Sequence, residues 1–213
     1  MNNISRYIIW DLPTRVFHWL VVAAFAVAWL TYDDNRFLYV HVFSGYVLLG
    51  LLVFRLIWGF IGTHYARFHT FAHDWKSVTE YLLGLLNGKA MRHIGHNPAG
   101  GWAIFLMLAL GLGVGITGVL TLGGEEGHGL LAGYVNYTVG IISREIHEYA
   151  AWTMLGLVVI HLLGVVVESL IHKDNLIWAM ITGHKEADAG VASVHGHHLL
   201  GLLIVTLISV SSF

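Results

Sequence analysis

Apolar runs of spanning length recur along this chain, separated by polar turns. Residues 16–31, 39–61 and 102–122 are almost unbroken apolar segments, and a fourth runs from Arg144 to about Ile171. A hydrocarbon core of about 30 Å takes about 20 apolar residues in helical form, so the pattern predicts four spanning helices. Before the first run, Pro13 suits a helix start and Trp10 an interfacial anchor. Within the long connection of residues 62–101, Trp75, Val78, Tyr81, Leu82 and Leu85 fall at helical spacing. That stripe predicts an amphipathic helix over residues 74–86, lying in the membrane interface. Residues 123–143 read as a Gly-rich loop, and residues 194–213 form a last apolar run behind the polar start His195-Gly196-His197-His198. The predicted fold class is therefore all-α: a transmembrane four-helix bundle with an interfacial amphipathic helix and a candidate fifth C-terminal transmembrane helix. Residues 1–185 make the membrane domain, and 186–213 a polar linker plus the apolar segment.

Composition agrees with the pattern. The chain has 213 residues, 56% hydrophobic and 11% charged, against about 25% charged in an average soluble domain. A run resembling a signal peptide, with Ala26-Val27-Ala28 as its cleavage-like site, contains His18 and Trp19, which argue for a retained helix. The net charge of −2 says little about partners, and no basic run with interleaved aromatics points to nucleic acid. The distribution of cations says more. Arg6, Arg15, Arg55, Arg67, Lys76, Lys89, Arg92, Lys173 and Lys185 fall on one side of the layout, and only Arg36 and Arg144 on the other. The positive-inside rule then makes the N-terminus and the residue 62–101 connection cytoplasmic.

Cysteine is absent, which excludes disulfides, thiolate-held iron–sulfur clusters and covalently attached c-type haem. Histidine is abundant instead, with 15 residues against 11 Lys and Arg combined. His147 and His161 lie on the fourth helix, fourteen positions apart. They leave the helix within roughly 40° of one another, separated by about 21 Å along its axis. His18 near the start of the first helix lies at the depth of His161, and His41 near the start of the second at the depth of His147. Paired histidines from facing helices hold low-spin haem iron with no open position, an arrangement suited to electron transfer. A single histidine at a helix end is more often a hydrogen-bonded interfacial residue, but four that pair by depth are hard to obtain by chance. Gly45 follows His41 by four and Gly164 follows His161 by three, so a macrocycle has room to approach the backbone. Glycines 111, 113, 115 and 118 on the third helix fit ordinary close packing equally well. Arg55 and Arg144 are candidates to neutralise haem propionates at the inner and outer layer, with snorkelling to lipid headgroups as the plainer reading.

These residues carry a resemblance. Trp-Asp-Leu-Pro-Thr-Arg-Val-Phe-His-Trp at 10–19, His41 with Gly45, Arg-Leu-Ile-Trp-Gly at 55–59, Asn-Pro-Ala-Gly-Gly at 97–101, His-Glu at 147–148, His161, and Ser-Leu-Ile-His-Lys-Asp-Asn-Leu-Ile-Trp-Ala-Met-Ile-Thr-Gly at 169–183 resemble the bacterial cytochrome b561 family, including cytochrome b subunits of Ni/Fe-hydrogenases. The resemblance covers about residues 10–185. It implies a diheme b-type cytochrome of the bacterial inner (cytoplasmic) membrane that exchanges electrons with quinone, ubiquinone or menaquinone. It also implies His18 with His161 as ligands of the inner haem iron and His41 with His147 of the outer one.

The expected function is electron transfer between a periplasmic redox protein, such as a hydrogenase, dehydrogenase or cytochrome c, and the quinone pool, with its direction left open. The Gly-rich loop with Glu125 and Glu126 is the expected docking surface. Quinone chemistry needs titratable groups near the inner haem, for which Asp11, His172 and Asp174 are the candidates, with Trp10, Leu12 and the amphipathic stretch as walls. Membrane lipid and a second copy of the chain are further candidate partners. Superoxide oxidation coupled to quinone reduction is the enzymatic alternative, although the outer loops lack the basic funnel it needs. A divalent-metal transporter needs carboxylates beside mid-membrane histidines, and only Glu168 lies well inside a span. The remaining histidines read as solvated loop residues.

Overall fold

The computed structural model describes residues 5–187 together with Val194 and Gly201. Strand β1 (Ser5–Ile8) leads into α1 (Leu12–Thr31), α2 (Leu38–Ile61), α3 (Trp75–Leu86), α4 (Pro98–Gly124), α5 (Tyr137–His172), α6 (Leu176–Thr182) and strand β2 (His184–Ala187). Helices α1, α2, α4 and α5 are long and apolar enough to cross a membrane, and they form an all-α transmembrane bundle. The expected fifth span, with His195, His197 and His198, lies outside the described residues apart from Val194 and Gly201. The backbone N–H of Val194 donates to the carbonyl of Ile8. A side chain on Gly201 would collide with Pro13 and Trp58.

Helix starts lie earlier than the apolar runs, because polar caps set them. Asp11 accepts from the N–H of Thr14, Asp74 from Ser77, Asn97 from Gly100, Asn136 from Val139 and Asn175 from Trp178. Each cap satisfies a backbone donor that the first turn leaves unpaired. Pro13 and Pro98 sit in the first turns of their helices, where a missing N–H costs nothing. The α4–α5 connection therefore shrinks from the expected 21-residue loop to residues 125–136. Its two helix ends cross at glycines: a Cβ on Gly124 would lie 2.8 Å from Cα of Gly140.

Helix α5 packs along α4, α4 against α2, and α2 against α1, whereas neither α1 nor α2 packs along α5. That leaves a gap inside the bundle, bridged toward the end away from the strands by the edge-on rings of Trp29 and Trp152, 4.9 Å apart. The tight core lies at the opposite end, where Leu51, Phe54, Trp58 and Ala66 pack with Val16, Phe17 and Val47. Antiparallel pairing of β1 with β2, in the register Arg6 to Glu186, closes this end. It is called the ribbon end below. Neither the ribbon nor α6 was legible in the hydrophobic pattern, because the strands are short and polar and α6 is only seven residues long. The ribbon depends on Gly183, whose φ of 84° suits glycine and whose carbonyl accepts from the N–H groups of Ile9 and Trp10.

The amphipathic helix forms as expected, capped by Asp74. Its stripe is divided. Val78 and Tyr81 are buried, Leu85 is half-buried, and Trp75 and Leu82 are exposed, as befits a helix between a protein and a lipid surface.

Candidate functional site

His41 on α2 and His147 on α5 face each other across the gap at the far end of the bundle. Their ring centroids are 6.1 Å apart and their planes 81° to one another. Nδ1 of His41 lies 2.9 Å from the carbonyl of Ala28, and Nδ1 of His147 2.9 Å from the carbonyl of Val114. A carbonyl oxygen only accepts, so in each ring Nδ1 carries the hydrogen and Nε2 presents its lone pair. Such a bond fixes the tautomer and orientation of a metal-binding imidazole. Gly118 makes room for the His147 ring, since a Cβ there would stand 3.1 Å from Cε1.

At the ribbon end, His18 on α1 lies within electrostatic reach of His161 on α5. Among the described residues, Nδ1 of His18 is enclosed without a hydrogen-bond partner, as is Nη1 of Arg55. The buried Arg55 guanidinium lies over the ring of Phe68 at 4.9 Å and that of Phe71 at 5.9 Å. Among the described residues, nothing beyond its own helix's adjacent backbone lies within 4 Å of a Cβ built on Gly45 or Gly164, whereas Gly111 and Gly115 meet Leu52, Met154 and Leu49. Helix α4 therefore uses those two glycines for packing.

Comparison with known proteins gives the same direction. The family model described as prokaryotic cytochrome b561 matches residues 9–183. The chain belongs to this family. Among its relatives are proteins named probable Ni/Fe-hydrogenase B-type cytochrome subunits. That of Bradyrhizobium diazoefficiens is 24% identical over 84% of this chain and 85% of its own length. That of Azotobacter vinelandii is 26% identical over 83% and 87%, and an Escherichia coli protein named probable Ni/Fe-hydrogenase 1 B-type cytochrome subunit is 22% identical over 90% and 96%. No solved structure matches the chain. As a member of the cytochrome b561 family the protein is a multi-pass membrane cytochrome that transfers electrons through b-type haem.

The residues present fit that group. An imidazole–metal bond of about 2.0–2.1 Å, with about 1.1 Å from nitrogen to ring centre on each side, puts two axial rings about 6.3 Å apart. The His41–His147 separation of 6.1 Å meets this. The enclosed, unpartnered N–H of Arg55 suits a carboxylate such as a propionate.

Several cytochrome b561 residues differ from their expected roles. Asp11 is 1% exposed and fully engaged: it caps α1 and accepts from Trp58 Nε1 and the Thr63 hydroxyl. A carboxylate engaged in this way anchors the start of α1 to the end of α2 and the turn after it. Asp174 is likewise committed, in a two-bond pair with Arg92 at 2.7 and 2.9 Å. Trp10 is buried rather than interfacial, its ring 4.6 Å from that of His96. Arg144 pairs with Glu125 at 2.9 Å, because the shortened connection brings that carboxylate to it. The acid it holds here thus belongs to the chain itself.

The reading of the other histidines as solvated also fails in places. His96 sits between Trp10 and Phe71, with Nδ1 enclosed and unpartnered among the described residues. Burial, reinforced by Arg55 and Lys185, pushes its pKa down to about 3. His172 has a side chain only 9% exposed and lies 3.7 Å from Glu168. The buried Glu168 in turn accepts a hydrogen bond from the Tyr81 hydroxyl. Sequence reasoning passed over Tyr81 as part of an apolar stripe and noted Glu168 only as a lone acid. The available signal was an ionisable residue seven positions beyond His161, on the same helix face.

Proposed function

We propose that the chain holds two b haems, one between His41 and His147 and one between His18 and His161, and conducts electrons between a Ni/Fe-hydrogenase and the quinone pool. The observation that carries this reading is the outer histidine pair, at haem-ligand spacing with both Nδ1 atoms tied to carbonyls. The inner assignment rests on the matched depth of His18 and His161, the open space at Gly164 and the unpartnered Arg55. Bound haem supplies one-electron redox chemistry. The protein's part is to orient the ligand rings through Ala28 and Val114 and to hold the Arg55 N–H toward the inner carboxylates.

The names of the relatives support the hydrogenase as partner, and nine Lys and Arg against two support a cytoplasmic ribbon end in the bacterial inner membrane. On this reading the connection of residues 125–136 faces the partner. Quinone works at the ribbon end, where Leu12, Arg15, Val16, Trp19, Leu20 and Ile181 line a largely apolar groove of about 360 Å³. Trp19 joins that groove to the inner site, its ring edge-on to His18 at 5.1 Å.

Haem quantification on the purified chain tests the core of the reading. Two haems per chain are expected, both low-spin in the oxidised spectrum, and one haem per chain would remove a pair. Trp19→Ala is expected to raise the KM for quinone several-fold with both haem spectra intact. An unchanged KM, or protection of the outer haem by a quinone analogue, would move the quinone elsewhere.

A further inference from the structure

One stripe of α5 repeats every seven residues: Gly140, His147, Met154, His161 and Glu168. Seven residues turn a helix through about 700° and advance it by about 10 Å, so each member leaves within about 20° of the last. Glu168 therefore continues the histidine face, two turns beyond His161 toward the ribbon end. A carboxylate in that position is costly without partners. It is 7% exposed, and its ion-pair contact among the described residues is with His172.

The neighbours of Glu168 all bear on its charge. From α3, the Tyr81 hydroxyl donates to it, and burial together with the carboxylate raises the pKa of that phenol above its usual value. The donor therefore keeps its proton. From the end of α5, His172 approaches with an enclosed Nε2 that has no hydrogen bond among the described residues. From β2, Lys185 is within electrostatic reach, and it also lies 3.8 Å from Asp174, the partner of Arg92. From the connection before α4, the His93 ring lies 5.5 Å from that of Tyr81 and 6.2 Å from that of His73. His73 and His93 line a cavity of about 160 Å³ that opens at the protein surface. A line of titratable groups thus runs from water to a buried carboxylate about 10 Å, along the axis, from an inner haem ligand.

We infer that Glu168 is a redox-linked proton acceptor: it takes up a proton from water through the His73–His93 cavity when the inner haem is reduced, and releases it on oxidation. The inference rests on the two-haem reading. One electron, from the partner, from quinol or in the test from dithionite, converts ferric to ferrous iron. One proton moves from water to the carboxylate, and no other bond changes. The added electron raises the proton affinity of a nearby acid by charge attraction, and by linkage the protonated acid favours the electron.

Potentiometric titration of both haems across a range of pH reads the coupling directly. In the unaltered protein one haem is expected to have a midpoint potential that falls as pH rises, because proton uptake accompanies its reduction. In Glu168→Gln that potential is expected to become flat with pH, near the value the unaltered protein shows in acid, while the second haem is unchanged. Tyr81→Phe removes a donor that favours the ionised acid, so the pH-dependent region is expected to move to higher pH with haem content unaltered. This second variant decides the matter if Glu168→Gln does not assemble. Potentials independent of pH in the unaltered protein would overturn the inference, as would an unshifted curve in Tyr81→Phe or a retained slope in Glu168→Gln. A haem count below two would instead fail the two-haem reading, so the two failures are separable.

Discussion

Gly118 shows how a single hydrogen in place of a methyl governs the outer site. The His147 ring occupies the volume a side chain would take, at 3.1–3.2 Å from a built Cβ. A β-branched residue there must displace the imidazole from its bond to Val114, and overpacking of this kind is not absorbed by a packed helix pair. Gly118→Val is expected to halve the haem-to-chain ratio while leaving the inner haem spectrum intact, measured by haem extraction and optical spectroscopy. Asp11 works differently. Removing its carboxylate deletes an N-cap and strands the donors of Trp58 and Thr63, a loss of about 2–4 kcal/mol. Asp11→Ala is therefore expected to lower the thermal stability of the whole ribbon end. Quinone turnover per intact haem should stay unchanged, which comparing melting curves with haem-normalised rates would check.

At the scale of elements, α5 is the ruler of the molecule. Its seven-residue stripe sets one histidine at each depth, with the buried Met154 between them against Gly111. Because about 21 Å separates the two histidines along the axis, the sites should be lost independently. His41→Ala is expected to remove the outer haem alone and His161→Ala the inner haem alone. Loss of both haems from either variant, in protein that still inserts and folds, would contradict the two-layer arrangement. The caps carry a second lesson about elements. Apolar periodicity placed the spans but cut their first turns, since Asp11, Asn97 and Asn136 are polar and belong to the helices they start. Reading those caps as helix starts would have shortened the 123–143 loop and brought Glu125 next to Arg144.

For the whole molecule, the tightest packing is at the ribbon end, where the N-terminal strand, the connection before α4 and the segment after α5 meet around Ile9, Trp10 and Ala179. His96 is enclosed in this junction, and its titration gives the junction a pH dependence. Its pKa falls from 6.5 to about 3 on folding, chiefly through burial. The unfolded chain therefore binds more protons between those values. The contribution of neutral His96 is fully present above pH 6.5, is lost progressively as pH falls, and stops changing near pH 3. His96→Phe keeps a ring between Trp10 and Phe71 and removes the proton. It is expected to flatten the fall in melting temperature between neutral and mildly acid pH, followed by circular dichroism on heating.

The sequence by itself determined four of the spans, the spacing of His147 and His161 along the last of them and the face they share. These are local quantities, obtained by counting along a helix whose rise and turn per residue are constant. Tertiary structure alone decided what lies across from each group. Tyr81 meets Glu168 across 87 positions, and Asp11 meets Thr63 across 52. Both meetings depend on how the connection of residues 62–97 folds back over the ribbon end: the apolar period predicted its helix α3, but not the path of the irregular segments on either side of it. The same holds for Arg144, whose partner was set by where α4 stops. Helical geometry carries information along the axis, while contacts between elements depend on the turns and caps that join them.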